Sequence, residues 1–123
     1  MSDEKYYTTQ QTTERTGLSK HTLRYYEKIG ILQTIVRDKN NYRQYSKEAI
    51  DWLILVKYLR GIGIGTTDLI GAQGTSFKTR RQYLEGYQTK IKKEIKELQR
   101  INEWVGKKII LLRNREDLEN RDI

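Results

Sequence analysis

The stretch of residues 78–113 constrains the fold of this chain more than any other feature, because it predicts one long helix. It contains no proline, and only two glycines interrupt it. Apolar side chains recur at intervals of seven, and a second series lies four positions later. The first series is Leu84, Ile91, Leu98, Val105 and Leu112, and the second is Gln88, Ile95, Asn102 and Ile109. This pattern is typical of a coiled-coil seam with two polar interruptions.

A helix of this length would extend about 54 Å, which is more than a small domain can cover. We therefore expect a second copy of the chain to bury the stripe. The expected dimerisation residues are Leu84, Ile91, Ile95, Leu98, Asn102, Val105, Ile109 and Leu112. Among them, the polar Asn102 would fix the register or orientation of the pair at some cost in stability. The alternative is that the stripe packs back against the chain's own N-terminal domain.

The composition excludes several kinds of site. Cysteine is absent and histidine occurs once, so disulfides, thiolate metal sites and thiol redox sensing are excluded. A zinc site would need carboxylates for nearly every ligand, and we expect neither a metal nor a cofactor. No window approaches about 20 apolar residues, and the N-terminal MSDEKYY is charged, so neither a membrane span nor a signal peptide fits. With 123 residues, the chain is expected to be one domain, alone or with an appendage, in the cytoplasm.

The net charge of +8 is concentrated in two basic regions. Residues 15–60 hold ten basic and four acidic side chains, and residues 78–113 hold eleven and four. A basic body of this kind attracts polyanions, most commonly nucleic acid. The alternative is that the charge serves solubility alone.

The segment Gly17–Leu32 predicts a capped helix with two different faces. Ser19 is placed to cap its N-terminus, and Gly30 is placed to end it. Leu23 and Tyr26 form an apolar stripe for burial. The opposite face carries Lys20, His21, Thr22, Arg24, Tyr25 and Lys28. Cations, a hydroxyl and a phenol are poorly suited to burial and well suited to phosphates and base edges.

The flanking segments complete a recognisable order of elements. A short helix from about Thr9 to Arg15, ended by Gly17, gives the spacing of a helix-turn-helix. After the second helix, short strands at Leu32–Val36 and Tyr42–Tyr45 around a polar turn predict a hairpin, or wing. We then expect two further helices. Ser46 would cap an aliphatic helix that ends at Arg60 and forms the main core, and Thr66 or Thr67 would cap a short fourth helix.

With these elements placed, the chain resembles the MerR family of bacterial transcription regulators. The resemblance rests on Gly17-Leu18-Ser19, Thr22-Leu23-Arg24-Tyr25-Tyr26-Glu27, Gly30-Ile31-Leu32, Asn41-Tyr42-Arg43-Gln44-Tyr45-Ser46 and Leu59-Arg60-Gly61-Ile62-Gly63. It implies a mainly α fold, in which a winged helix-turn-helix with a small β-hairpin wing precedes a long helix that forms an antiparallel intermolecular coiled coil. The expected boundaries are 1–77 for the DNA-binding domain, 78–113 for the dimerisation helix and 114–123 for a charged tail.

The resemblance also implies partners. Family members are homodimers that bind inverted repeats in double-stranded promoter DNA and act on RNA polymerase by distorting the promoter spacer. Carried over residue by residue, the expected DNA-binding residues are Ser19, Lys20, His21, Thr22, Arg24, Tyr25, Lys28, Arg43 and Tyr45. Lys39, at the turn of the wing, is added on its charge alone. Tyr26 is expected in the core, and Arg24 has the alternative of pairing with Glu27 or Glu48.

The chain departs from the family in three places. Thr9, Thr12 and Thr13 stand where aliphatic or alanine residues are usual, and their hydroxyls need partners, so the first helix is expected to be less firmly seated. Without cysteines, metal or thiol sensing does not transfer. Only ten residues follow Arg113, too few for a ligand-binding domain.

The sequence therefore leaves alternatives open, both for the signal that the protein senses and for its function. An effector is unknown; a small apolar ligand near Trp52, Tyr83, Tyr87 or Trp104 is one hypothesis. The alternatives to a transcription regulator are an architectural DNA-binding protein of the phage-excisionase kind and a coiled-coil adaptor. We expect no enzyme, because the sequence contains no histidine–carboxylate pair, nucleophile elbow or phosphate loop.

Overall fold

A computed structural model describes residues 5–33, 35–72 and 76–121 of the chain. Three short strands and five helices follow one another in the order β1 (Tyr6–Tyr7), α1 (Thr9–Thr16), α2 (Lys20–Ile29), β2 (Val36–Arg37), β3 (Arg43–Ser46), α3 (Lys47–Gly61), α4 (Thr66–Gly71) and α5 (Phe77–Arg121). The chain divides into two compact units, Met1–Tyr83 and Leu84–Ile123. Among the described helices, none is both long enough and apolar enough to cross a membrane.

Helices α1 and α2 begin and end where the sequence predicts them within a residue or two. Thr8 caps α1 and forms a reciprocal capping box with Gln11. Ser19 caps α2 through its hydroxyl. Gly17 and Gly30 end the two helices at φ values of 75° and 92°, in the left-handed region that favours glycine. The predicted helix-turn-helix is confirmed.

The threonines of α1 find their hydrogen-bond acceptors within the helix. Thr12 and Thr16 are buried, and their hydroxyls each donate a 2.8 Å bond to the carbonyl oxygen four residues earlier. Thr13 donates to the carbonyl of Thr9 in the same way, at 2.9 Å. Bonds of this type satisfy a buried hydroxyl locally. The hydroxyls therefore do not leave the buried face of α1 short of hydrogen bonds, contrary to the expectation of a weakly seated helix.

The wing belongs to a three-stranded antiparallel sheet in the order β1-β3-β2, rather than to the two-stranded hairpin that the sequence predicts. The N-terminal pair Tyr6–Tyr7 supplies the extra strand. Leu32 was expected to begin a strand, but it is buried and its N–H donates to the carbonyl of Tyr26. A two-residue strand has no alternation for a sequence pattern to detect, which is why β1 was missed.

Helix α3 forms the centre of the N-terminal core, as predicted. It begins at the Ser46 cap and buries Ile50, Leu53, Val56 and Leu59. Gly65, rather than a threonine, occupies the N-cap position of α4 and makes no side-chain cap bond there. The prediction that Thr66 or Thr67 caps this helix was wrong, because both already lie inside it.

Helix α5 is 45 residues long, longer than the segment predicted from its heptads. It continues through residues 114–121, which lack glycine and proline and which we had expected to be a tail. The seam residue Ile91 is half-buried, and the other seven are exposed. The single chain therefore leaves most of the predicted seam in contact with solvent.

Candidate nucleic-acid interface

The two faces of α2 are sharply separated. Leu23 is 0% exposed and Tyr26 is 7% exposed, so both belong to the core. On the other side, the predicted contact residues Lys20, His21, Arg24, Tyr25 and Lys28 are all exposed. A helix with a fully buried stripe opposite a cationic and aromatic stripe is held firmly while presenting donors outward. This is the arrangement that a recognition helix needs.

Ser19 and Thr22, two further predicted contact residues, form the N-terminal cap of α2. The Ser19 hydroxyl accepts the N–H of Thr22 at 3.0 Å and lies 2.9 Å from the Thr22 hydroxyl. Their hydroxyls are therefore already occupied in fixing the first turn of the helix. Contact of either residue with DNA stays a prediction.

Arg24 projects from α2 without an ion pair among the described residues. The acidic partners considered for it were Glu27 and Glu48. Glu27 instead faces the wing, and neither carboxylate lies within ion-pair distance of Arg24 in the described part of the chain. Its guanidinium therefore keeps its five donors available for an external acceptor.

Glu27 connects α2 to both strands of the wing. One of its carboxylate oxygens accepts the Nε–H of Arg43 at 2.6 Å, and the other lies 3.4 Å from a terminal nitrogen of Arg37. Arg43 and Glu27 are each only 26% exposed. Sequence reasoning placed Arg43 near the DNA backbone and noted Arg37 only as a cation of the wing turn, so it missed the pairing of both with Glu27. Two opposite charges that lie sixteen residues apart in the sequence give little indication that they form an ion pair.

The tip of the wing is held by a single carboxylate. Asp38 accepts the backbone N–H groups of Asn40 and Tyr42, each at 2.9 Å. Asn41 adopts a φ of 67°, which asparagine tolerates better than most residues. Lys39 lies exposed in this turn. Its ammonium group is thus presented from a well-defined loop.

The prediction that Tyr45 contacts DNA was wrong, because the structure places this residue in the core. It is 1% exposed, on the central strand β3, which packs against α1. Its phenol has no hydrogen-bond partner among the described residues; the nearby Thr9 hydroxyl does not meet hydrogen-bond geometry. Burial raises the pKa of the Tyr45 phenol, and Thr9 and then Arg43 offset part of that rise.

A cleft of about 320 Å³ separates the start of α1 from the wing. Its lining residues are Thr8, Thr9, Gln10, Asp38, Tyr42, Arg43 and Gln44. Within the described ranges, no group of three or more His, Cys, Asp or Glu side chains is placed to hold a metal ion. Of the aromatic residues named for an effector, Trp52 uses its indole N–H to hold the carbonyl of Ile31. The effector site itself stays a prediction.

Comparison with known proteins agrees with this geometry. Residues 8–45, from the cap of α1 into the wing, match the MerR family regulatory protein model. An uncharacterized HTH-type transcriptional regulator of Haemophilus influenzae is 35% identical over 63 residues, covering 51% of this chain and 47% of that protein. The regulator AdhR of Bacillus subtilis is 35% identical over 60 residues, covering 49% and 43%. The matched region thus spans less than half the length of either curated relative.

A solved structure extends the likeness to most of the chain. It is that of HiNmlR, described as a MerR family regulator that lacks the sensor domain and is bound to promoter DNA. The two chains superimpose with a TM-score of 0.74 at 26% sequence identity, covering 93% of this chain and 95% of that one. The winged helix-turn-helix and the long helix are therefore both part of the shared architecture. The winged helix-turn-helix of this chain is thus similar to that of MerR family regulatory proteins, by the family model over residues 8–45 and by the fold of the solved structure.

Proposed function

We propose that this protein is a sequence-specific DNA-binding transcription regulator that acts as a homodimer on an inverted-repeat promoter site. The observation that carries this proposal is the division of α2. Leu23 and Tyr26 anchor one face in the core, and the cations and the phenol of the opposite face are exposed to solvent. HiNmlR, of similar fold, is described as bound to promoter DNA.

In this proposal α2 enters the major groove. Lys20, His21, Arg24 and Tyr25 lie where they can reach base edges or the adjoining backbone. Lys28, near the end of the helix, and Lys39, at the tip of the wing, supply phosphate contacts. Phosphate contacts set the register of the protein on the duplex, and base contacts select the sequence.

The proposed homodimer rests on the unburied seam of α5. Leu98 is 64% exposed and Val105 is 50% exposed, although both occupy core positions of the heptad pattern. A single chain that exposes such a stripe is stabilised by a second helix of the same kind. The antiparallel coiled coil would separate the two copies of α2 by a fixed distance, and this distance would determine the spacing of the half-sites.

The mode of regulation follows from the family. We expect the dimer to bind the spacer between the two promoter elements that RNA polymerase contacts, and to bend and untwist it. Specificity would then come partly from the deformability of the spacer. This role places the protein in the cytoplasm of a bacterial cell, where the promoter is accessible.

The test of this proposal is a footprint on the DNA upstream of its own gene. We expect protection of an inverted repeat in a promoter spacer, and a dimeric mass in sedimentation at micromolar concentration. Arg24→Ala should raise the protein concentration needed for the footprint, whereas Arg115→Ala, an equal loss of charge on α5, should leave that concentration unchanged. Protection of a recombination attachment site instead would indicate an excisionase-like protein. Absence of any footprint would contradict DNA recognition.

A further inference from the structure

The wing carries two arginines, but Glu27 already holds one of them closely. The Nε of Arg43 lies 2.6 Å from a Glu27 carboxylate oxygen, which is a short charge-assisted hydrogen bond. Arg37 is held more loosely by the same carboxylate, at 3.4 Å, and also donates to the carbonyl of Asn41 at 3.2 Å. Glu27 is therefore shared by two cations, and Arg43 has the stronger contact.

The neighbouring charges offer Arg43 no alternative carboxylate on the wing. Asp38 lies on the wing too, but one of its oxygens accepts two backbone N–H groups and the other is 3.4 Å from the amide nitrogen of Gln44. The buried phenol of Tyr45 is close enough to feel the charges of Arg43, Glu27 and Arg24. The carboxylate that Arg43 contacts is therefore that of Glu27 and not that of Asp38.

We propose that Glu27 is a positioning residue that withholds Arg43 from the DNA backbone and fixes the wing relative to α2. This inference rests on the proposed function, in which α2 and the wing share one DNA duplex. The two cations of the wing would then have different roles: Lys39 supplies the phosphate contact, and Arg43 orients the wing through Glu27. Specificity then depends on a carboxylate that does not contact the DNA.

The salt dependence of binding to a random-sequence duplex measures this directly. Each protein–phosphate contact adds about 0.9 to the slope of log affinity against log salt. Glu27→Gln should free Arg43 and steepen the slope by about 0.9, whereas Glu14→Gln, an equal charge change at an exposed position of α1, should leave it unchanged. Adding Arg43→Gln to Glu27→Gln should remove this increase, and any increase that remains would come from Arg37, the other cation that Glu27 holds.

Single substitutions on the wing keep the test decisive if Glu27→Gln fails to fold, as judged by circular dichroism. Arg43→Gln should leave the slope unchanged, and Lys39→Gln should reduce it by about 0.9. On the upstream DNA, Arg43→Gln should lower the ratio of specific to random affinity, because the wing is no longer positioned. Arg43→Lys should recover part of that ratio, since the ammonium can still reach Glu27.

The opposite pattern would overturn the inference. A slope that falls by about 0.9 in Arg43→Gln would show that Arg43 contacts a phosphate itself. An unchanged slope in folded Glu27→Gln would show that the carboxylate withholds nothing. Failure of the proposed function can be told apart from failure of this inference. In that case the chain would bind its upstream DNA no better than the random duplex, but the slopes on the random duplex would still test the role of Glu27.

Discussion

The indole N–H of Trp52 donates a 2.9 Å hydrogen bond to the carbonyl oxygen of Ile31, one residue beyond the glycine that ends α2. At the other end of the helix-turn-helix, Lys57 donates to the carbonyl of Thr16 at 3.2 Å, just before the turn. Both donors lie on α3. Helix α3 therefore holds the chain just before the turn that leads into α2 and just after the end of α2, and this fixes the direction in which the cationic face of α2 points.

Trp52→Phe should destabilise the fold by about 1 kcal/mol. The substitution removes the indole donor and leaves the Ile31 carbonyl short of a partner. Chemical denaturation followed by circular dichroism measures the change in the free energy of unfolding. Tyr58→Phe, at a side chain that is 68% exposed on the same helix, is the matched control and should change stability by less than about 0.5 kcal/mol. Equal effects of the two variants would show that the hydrogen bond contributes nothing.

Gly17→Ala should destabilise the turn between α1 and α2, for two reasons. The φ of 75° costs an L residue about 1–2 kcal/mol, and the new Cβ would lie 2.7 Å from the Lys57 ammonium nitrogen. Gly86→Ala is the control, because it lies within α5 with nothing within 4 Å. Its free energy of unfolding should rise by about 0.5–1 kcal/mol. The same sign for both substitutions would contradict the assigned turn geometry.

Tyr45→Phe should be neutral or stabilising at pH 7, because it removes a buried hydroxyl for which the described residues provide no hydrogen-bond partner. It should also leave DNA affinity unchanged. Gel-shift titration of the variant beside the original protein measures this. A large loss of affinity would show that the ring reaches DNA after all.

The same substitution should alter the pH dependence of stability. The pKa of the Tyr45 phenol is raised in the folded state by burial, so the folded protein retains this proton where the unfolded chain begins to release it. Stability from this group is complete below the unfolded pKa and is lost as pH rises above about 10. The free energy of unfolding should therefore fall less steeply above pH 10 in Tyr45→Phe than in the original protein. Parallel curves would contradict the raised pKa.

Leu98→Glu should convert the proposed dimer into a monomer. A charge at the centre of the seam would be buried without a partner in the coiled coil. Leu118→Glu is the control, since Leu118 is 58% exposed but lies outside the seam. Sedimentation equilibrium should give a single-chain mass for Leu98→Glu and a double mass for Leu118→Glu. A dimeric Leu98→Glu protein would rule out this seam.

The helices were predictable because their signals are local. The caps Ser19 and Ser46 and the stops Gly17 and Gly30 act on their own helix, so sequence alone placed the helix-turn-helix and α3 closely. The heptad repeat similarly predicted α5. The predicted helix ended too early, at residue 113, because residues 114–121 continue the helix without an apolar residue at every seam position.

The parts that sequence missed depend on contacts between distant segments. Tyr45 alternates with Arg43 along β3 in a manner that fits either surface or core, and only the packing of β3 against α1 buries it. Arg43 and Glu27 are both charged, and nothing in their spacing shows that they pair. Charge and helical periodicity together therefore predict which face of α2 is exposed. On the wing, charge and alternation predict neither the burial of Tyr45 nor the pairing of Arg43 with Glu27.

The most direct test of DNA recognition is the affinity of the protein for its upstream DNA and for a random duplex of equal length, each measured at about 50 and 200 mM salt. We predict at least about a thousandfold preference for the upstream DNA and a steep loss of both affinities at the higher salt. Arg24→Ala should weaken specific binding by about 1–3 kcal/mol. Equal affinity for the two duplexes, or no binding at the lower salt, would contradict the account.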